Sequence, residues 1–87
     1  MRIITTLRTN GKTFVILKDD YGYWGIESKY IDKNGRLVEN VWGLKGHLNK
    51  KLEDTIRQCK ISALVDKLVN RGSTLEDAID FAVGHVK

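Results

Sequence analysis

Residues 2–18 read Arg2-Ile3-Ile4-Thr5-Thr6-Leu7-Arg8-Thr9-Asn10-Gly11-Lys12-Thr13-Phe14-Val15-Ile16-Leu17-Lys18, two β-branched and apolar runs on either side of Asn10-Gly11. Asn-Gly accepts positive φ at both central turn positions, the requirement of a two-residue type I′ hairpin. The turn sets the register: Thr9 faces Lys12, Leu7 faces Phe14 and Thr5 faces Ile16, while on the opposite side Thr6 faces Val15 and Ile4 faces Leu17. Both faces of this hairpin are largely apolar. Helices can cover one; the other calls for a further layer, a loop or another protein molecule, which favours a homodimer or a partner-binding sheet.

Beyond the hairpin, Asp19-Asp20-Tyr21-Gly22 reads as a turn. Residues 23–31 then alternate, with Trp24, Ile26 and Tyr30 on one side and Glu27 and Lys29 on the other, which predicts a third strand. Asp32-Lys33-Asn34-Gly35 has the chemistry of a type I turn closing a bulged hairpin, and Arg36 to Val41 reads as a fourth strand. No proline occurs anywhere to interrupt these runs.

Near residue 42 the rhythm changes from alternation to helical spacing. Leu48, Leu52, Ile56, Cys59 and Ala63 form one stripe, but Ile61, Leu64, Val65 and Leu68 lie on nearly the opposite side of an ideal helix. Either the helix breaks near Lys60 to Ser62 or one helix is buried on both sides, and a break is the reading favoured here. Asn49 is the expected N-cap. Gly72, after Asn70-Arg71, suits a left-handed C-terminal cap, and Ser73-Thr74-Leu75-Glu76 opens a last helix as a capping box, with Leu75, Ala78, Ile79, Phe81, Ala82 and Val83 expected to anchor it. The fold class is therefore α+β. An N-terminal antiparallel β-meander of three to four strands (1–41) leads through a hinge loop (42–47) to two or three C-terminal helices (48–87) packed on one sheet face.

At 87 residues the chain is one domain around one core. Its 41% hydrophobic and 30% charged residues are ordinary for a globular protein. No apolar run approaches the ~18 residues needed to span a bilayer, and the N-terminus has too short an apolar block for a secretory signal. The expected location is cytoplasmic.

The single cysteine, Cys59, excludes an internal disulfide, and at helical spacing from Leu52, Ile56 and Ala63 it reads as a small core residue rather than a nucleophile. His47 and His85 show no zinc-ligand spacing, and no cofactor or metal is implied. His47 reads as a surface or capping residue. Asp19 and Asp20 are the only other candidates for catalysis, and no motif joins them to a partner. Gly43-Leu44-Lys45-Gly46 is followed by His47-Leu48 rather than Lys-Ser/Thr, so it is not a Walker loop. Nor does it sit between two helices, as the GxxG of KH domains does. No catalytic motif is present, and the chain is expected not to be an enzyme.

Residues 68–78, Leu68-Val69-Asn70-Arg71-Gly72-Ser73-Thr74-Leu75-Glu76-Asp77-Ala78, are similar to the loop and third helix of ubiquitin-associated domains. They lack the apolar residue that follows the loop glycine there, so that function is not carried over. A helix-turn-helix around Arg71-Gly72-Ser73 fails on charge, because Glu76, Asp77 and Asp80 would meet DNA phosphates.

Net charge is +4, and the basic excess is concentrated in residues 42–71, with seven Lys or Arg against three Asp or Glu. Two interaction sites follow. Tyr21, Tyr23 and Trp24 form a candidate aromatic surface for a protein partner or a second copy of the chain. Lys50, Arg57, Lys60, Lys67 and Arg71 form a candidate basic helical side for nucleic acid, with the aromatic residues available to stack on bases. The functional expectation is a small accessory or regulatory protein that acts by protein–protein contact, a type that suits bacteriophages and mobile elements. Nucleic-acid binding is the alternative.

Overall fold

A computed structural model describes residues 2–34 and 46–87 of the chain. Strands β1 (Arg2–Thr9), β2 (Lys12–Lys18), β3 (Tyr23–Glu27) and β4 (His47–Asn49) form one antiparallel sheet in the order β1-β2-β3-β4. Helices α1 (Leu52–Asn70) and α2 (Leu75–His85) follow. The architecture is α+β, as the change of rhythm requires. The expected fourth strand at 36–41 lies outside the described residues.

Asn10 has φ +47 and Gly11 φ +81, so the two-residue turn forms with both central residues in the left-handed region. Pairing of Thr9 with Lys12, Leu7 with Phe14, Thr6 with Val15 and Thr5 with Ile16 follows from it. The expected Ile4–Leu17 pair does not form. A register shift between Ile3 and Thr5 makes Ile3 the partner of Leu17, and Ile4 packs instead toward Phe14 and Ile16. This is the signature of a bulge: one extra residue in an edge strand turns a side chain onto the core face.

The third strand is shorter than its alternation predicted. It ends at Glu27, and Ser28–Tyr30 form a 3-10 turn. Asp19 organises the preceding turn, accepting the Tyr21 and Gly22 amides at 2.8 and 3.2 Å and the Trp24 indole N–H at 2.8 Å. Burial works against the charged carboxylate, but these three donors outweigh it and hold Asp19 below the usual carboxylate range.

Helix α1 lies on the face that carries Leu7, Phe14, Ile16 and Gly25. A Cβ at Gly25 would overlap the Cys59 sulfur and sit 3.2 Å from the Thr55 methyl. Glycine is needed there because the helix rests almost on the strand backbone. Thr55, fully buried, donates to the Tyr23 carbonyl at 2.8 Å, so the contact leaves no polar group unpaired. Phe14, Ile16, Cys59 and Ala63 form the core of this layer.

Three helical expectations are corrected. The helix begins at Leu52 with Lys51 at its cap; Asn49 and His47 belong to β4, because residues 47–49 pair with Tyr23, Trp24 and Gly25. The helix does not break near Lys60–Ser62. Its apolar stripe rotates because α1 is buried on two sides, with Cys59 and Ala63 toward the sheet and Leu64 and Val65 toward α2, where Ile61 and Leu68 also pack. Thr74 rather than Ser73 caps α2, accepting the Asp77 amide at 3.2 Å.

The turn between the helices forms as its glycine indicates. Gly72 has φ +106, its amide donates to Val69, and the Ser73 amide donates to Leu68, which together make a Schellman cap.

Candidate functional site

Four surfaces carry the chemistry of this fold: a polar cleft at one end of the sheet–helix layer, the aromatic patch and the basic patch expected from the sequence, and the outer side of α2.

The cleft, about 290 Å³, opens where β2, β3 and β4 meet the middle of α1. Lys12 next to the hairpin turn, Glu27 at the end of β3 and Asp66 on α1 converge there, 15 and 54 positions apart in sequence from Lys12. The Lys12 ammonium donates to Glu27 at 2.7 Å and to Asp66, and Lys29 reaches Glu27 at 3.5 Å. Burial works against the Lys12 charge, but the hydrogen bonds to Asp66 and Glu27 outweigh it and push its pKa above 10.5. Each carboxylate is thus held by a cation. The group ties the hairpin to α1, which is a structural use of charge.

His47 lines the same cleft, with its ring 6.4 Å from that of Phe14. It is a half-buried strand residue, not the surface or capping residue expected from sequence. Burial lowers its pKa below 6.5, more than the attraction of Glu27 raises it. The unfolded chain therefore takes up a proton that the folded chain refuses. Stability is full above about pH 6.5 and falls as the pH drops below it. The urea midpoint at pH 5.5 is expected below that at pH 7.5, and His47→Gln should flatten the difference; a midpoint independent of His47 would contradict its burial.

Ser62 also lines the cleft, and among the described residues no hydrogen bond joins it to His47. Among the same residues no group of three His, Cys, Asp or Glu side chains is placed to hold a metal ion. Cys59 is fully buried and its thiol is pushed up to about 12, so it is a protonated core residue at neutral pH.

The aromatic patch is only partly a surface. Tyr21 is 68% exposed. Tyr23 and Trp24 are half-buried: Lys18 lies 5.5 Å over the Tyr23 ring, and the Trp24 indole is held by Asp19. The basic set also divides. Lys50 donates to the Tyr21 carbonyl at 3.1 Å and Arg57 to the Val83 carbonyl at 3.2 Å, so both tie elements together. Lys60, Lys67 and Arg71 remain, and an uninterrupted α1 puts them on one side at about 100° per residue.

The outer side of α2 was not foreseen. The helix touches α1 through Ala78 and Ala82, 1% and 0% exposed. Leu75, Ile79 and Val83, expected to be anchors, are 61%, 42% and 48% exposed, and Phe81 is 53% exposed. The reason is geometric. An eleven-residue helix packed on a single neighbour buries one narrow stripe, and the two alanines bring the axes close enough to fill it. Leu75, Ile79 and Val83, at i, i+4 and i+8, form an apolar row along one flank, bordered by Glu76 and Asp80. Apolar spacing of this kind normally marks a buried face, so its exposure is the signal.

No known family model, curated protein or solved structure matches the chain.

Proposed function

We propose that the protein is a small accessory binding protein that acts through protein–protein contact, with the outer flank of α2 as its docking surface. The observation that carries this reading is the exposed row Leu75, Ile79 and Val83, on a helix whose own packing is completed by two alanines. Large apolar side chains in a contiguous solvent-facing row cost solubility and add little to folding, so a partner is the economical account of them.

The sheet is a weaker candidate. Leu17 and Ile26, on the face opposite α1, are 4% and 0% exposed within the single chain, which takes away the main motive for pairing two copies through that face. Its exposed apolar residues, Ile3 and Leu48, lie on the edge strands β1 and β4.

Affinity capture with the tagged chain from a nuclease-treated bacterial lysate tests the proposal. A stoichiometric protein band is expected with the native sequence and with Lys60→Glu/Lys67→Glu, and is expected to vanish with Leu75→Ser/Ile79→Ser. A band that survives the second pair of substitutions would overturn α2 as the docking surface.

Nucleic-acid binding is the second reading, favoured by the continuity of α1. Lys60, Lys67 and Arg71 share a side, and none has an ion pair among the described residues. Three phosphate contacts predict a slope of log affinity on log salt near −3, with binding lost in the Lys60→Glu/Lys67→Glu variant.

A further inference from the structure

We infer that the partner presents a basic amphipathic helix to α2, an inference that rests on the docking role proposed above. The apolar row spans eight residue steps, about 12 Å at 1.5 Å per residue, which is the reach of two to three turns of a facing helix. Helix α2 has no free backbone edge, so it cannot recruit an extended peptide by strand addition. What it offers is a ridge of side chains at i, i+4 and i+8. Such ridges pack into the grooves of another helix.

Charge selects the kind of helix. Glu76, Asp77 and Asp80 are the only charged residues from Leu75 to Phe81, and no Lys or Arg follows before Lys87. Glu76 and Asp77 lie in the first turn, where they also oppose the helix dipole. Asp80 lies one turn further along and has no such role. None of the three carboxylates forms an ion pair among the described residues. Glu76 and Asp80 run beside the apolar row as a continuous acidic border. A second copy of the chain, docked antiparallel as helix dipoles favour, would bring its own Glu76 and Asp80 alongside this border and be repelled. A helix with an i, i+3, i+4, i+7 apolar stripe and Lys or Arg at its margin meets both features at once.

The test is an amide-resolved NMR titration of the whole chain with two synthetic helical peptides of identical apolar stripe. One has a Lys/Arg margin and the other a Glu/Asp margin. The basic peptide is expected to shift the resonances of Leu75 to Val83 and to bind about fivefold to tenfold more tightly than the acidic one, as two or three rim charge pairs allow. Glu76→Gln/Asp80→Asn should remove that preference and keep the contact. Equal or reversed affinity at α2 would overturn the basic partner and leave the docking surface standing. If neither peptide shifts Leu75 to Val83, both the partner and the surface are overturned.

Discussion

Gly25→Val is expected to cost about 3 kcal/mol, a large share of the stability of a domain this size. Valine fits the strand by propensity and would be a welcome residue at an ordinary position of β3. Here its Cβ would overlap the Cys59 sulfur and press on the Thr55 methyl, and both belong to the first half of α1. The sulfur sits one bond from its own Cβ and cannot swing away as the end of a long side chain could. The helix must then lift off the sheet and loosen the Thr55–Tyr23 hydrogen bond with it. Urea unfolding followed by circular dichroism reads the loss. A double-mutant cycle assigns it: Gly25→Ala and Cys59→Ala together should cost less than the sum of the two, by about 1 kcal/mol, because the second change clears space for the first. Additive costs would mean that the close approach is not where the structure puts it.

Phe14→Ala is expected to cost about 3–5 kcal/mol. Phe14 is 2% exposed at the centre of the layer formed by Ile16, Cys59 and Ala63, with Ile4, Leu7 and Leu52 around it. Removing the ring opens a cavity among these side chains. A second consequence separates this account from generic core damage. The same ring stands against His47, so its loss admits water to the imidazole and returns the His47 pKa toward its ordinary 6.5. Thermal or urea unfolding measures the first effect, and an NMR pH titration of His47 measures the second. A cost under about 1 kcal/mol, or an unmoved His47, would contradict the placement of Phe14 between core and cleft.

The parts of the fold that could be read from sequence are those determined locally. Asn10-Gly11 imposed the hairpin and most of its register because positive φ at two adjacent residues has few other solutions. Gly72 did the same for the turn between the helices. The bulge at Ile4 has no local mark, since it answers to what lies under β1. Strand β4 has three residues, too few for alternation to show, and its helix-like spacing from Leu48 to Leu52 is coincidental. The shift in the apolar stripe of α1 was visible, but a helix that turns from one neighbour to another and a helix that breaks produce the same pattern. Only the position of α2 distinguishes them.

The site was less legible than the fold, for the same physical reason. Lys12, Glu27 and Asp66 meet across 15 and 54 positions of sequence, and no spacing rule links them. His47 looked exposed because it follows Gly46, while the fold sets it in the cleft beside the ring of Phe14. The apolar residues of α2 looked like a core because hydrophobic periodicity reports amphipathicity, not which apolar side is covered. Ala78 and Ala82 were the available clue. Two small residues one turn apart indicate the close contact, and the larger residues beside them are the ones left outside.

A single unfolding experiment therefore bears on the role assigned to α2. The triple substitution Leu75→Ser/Ile79→Ser/Val83→Ser removes the whole outer row. If the row serves contact with a partner rather than the fold, the urea-unfolding free energy should fall by no more than about 2 kcal/mol, because each of the three side chains is already about half exposed in the single chain, and unfolding should stay cooperative. A loss of several kcal/mol, as expected for truncating three buried side chains, would show that the row belongs to the core and would remove the ground for the docking surface.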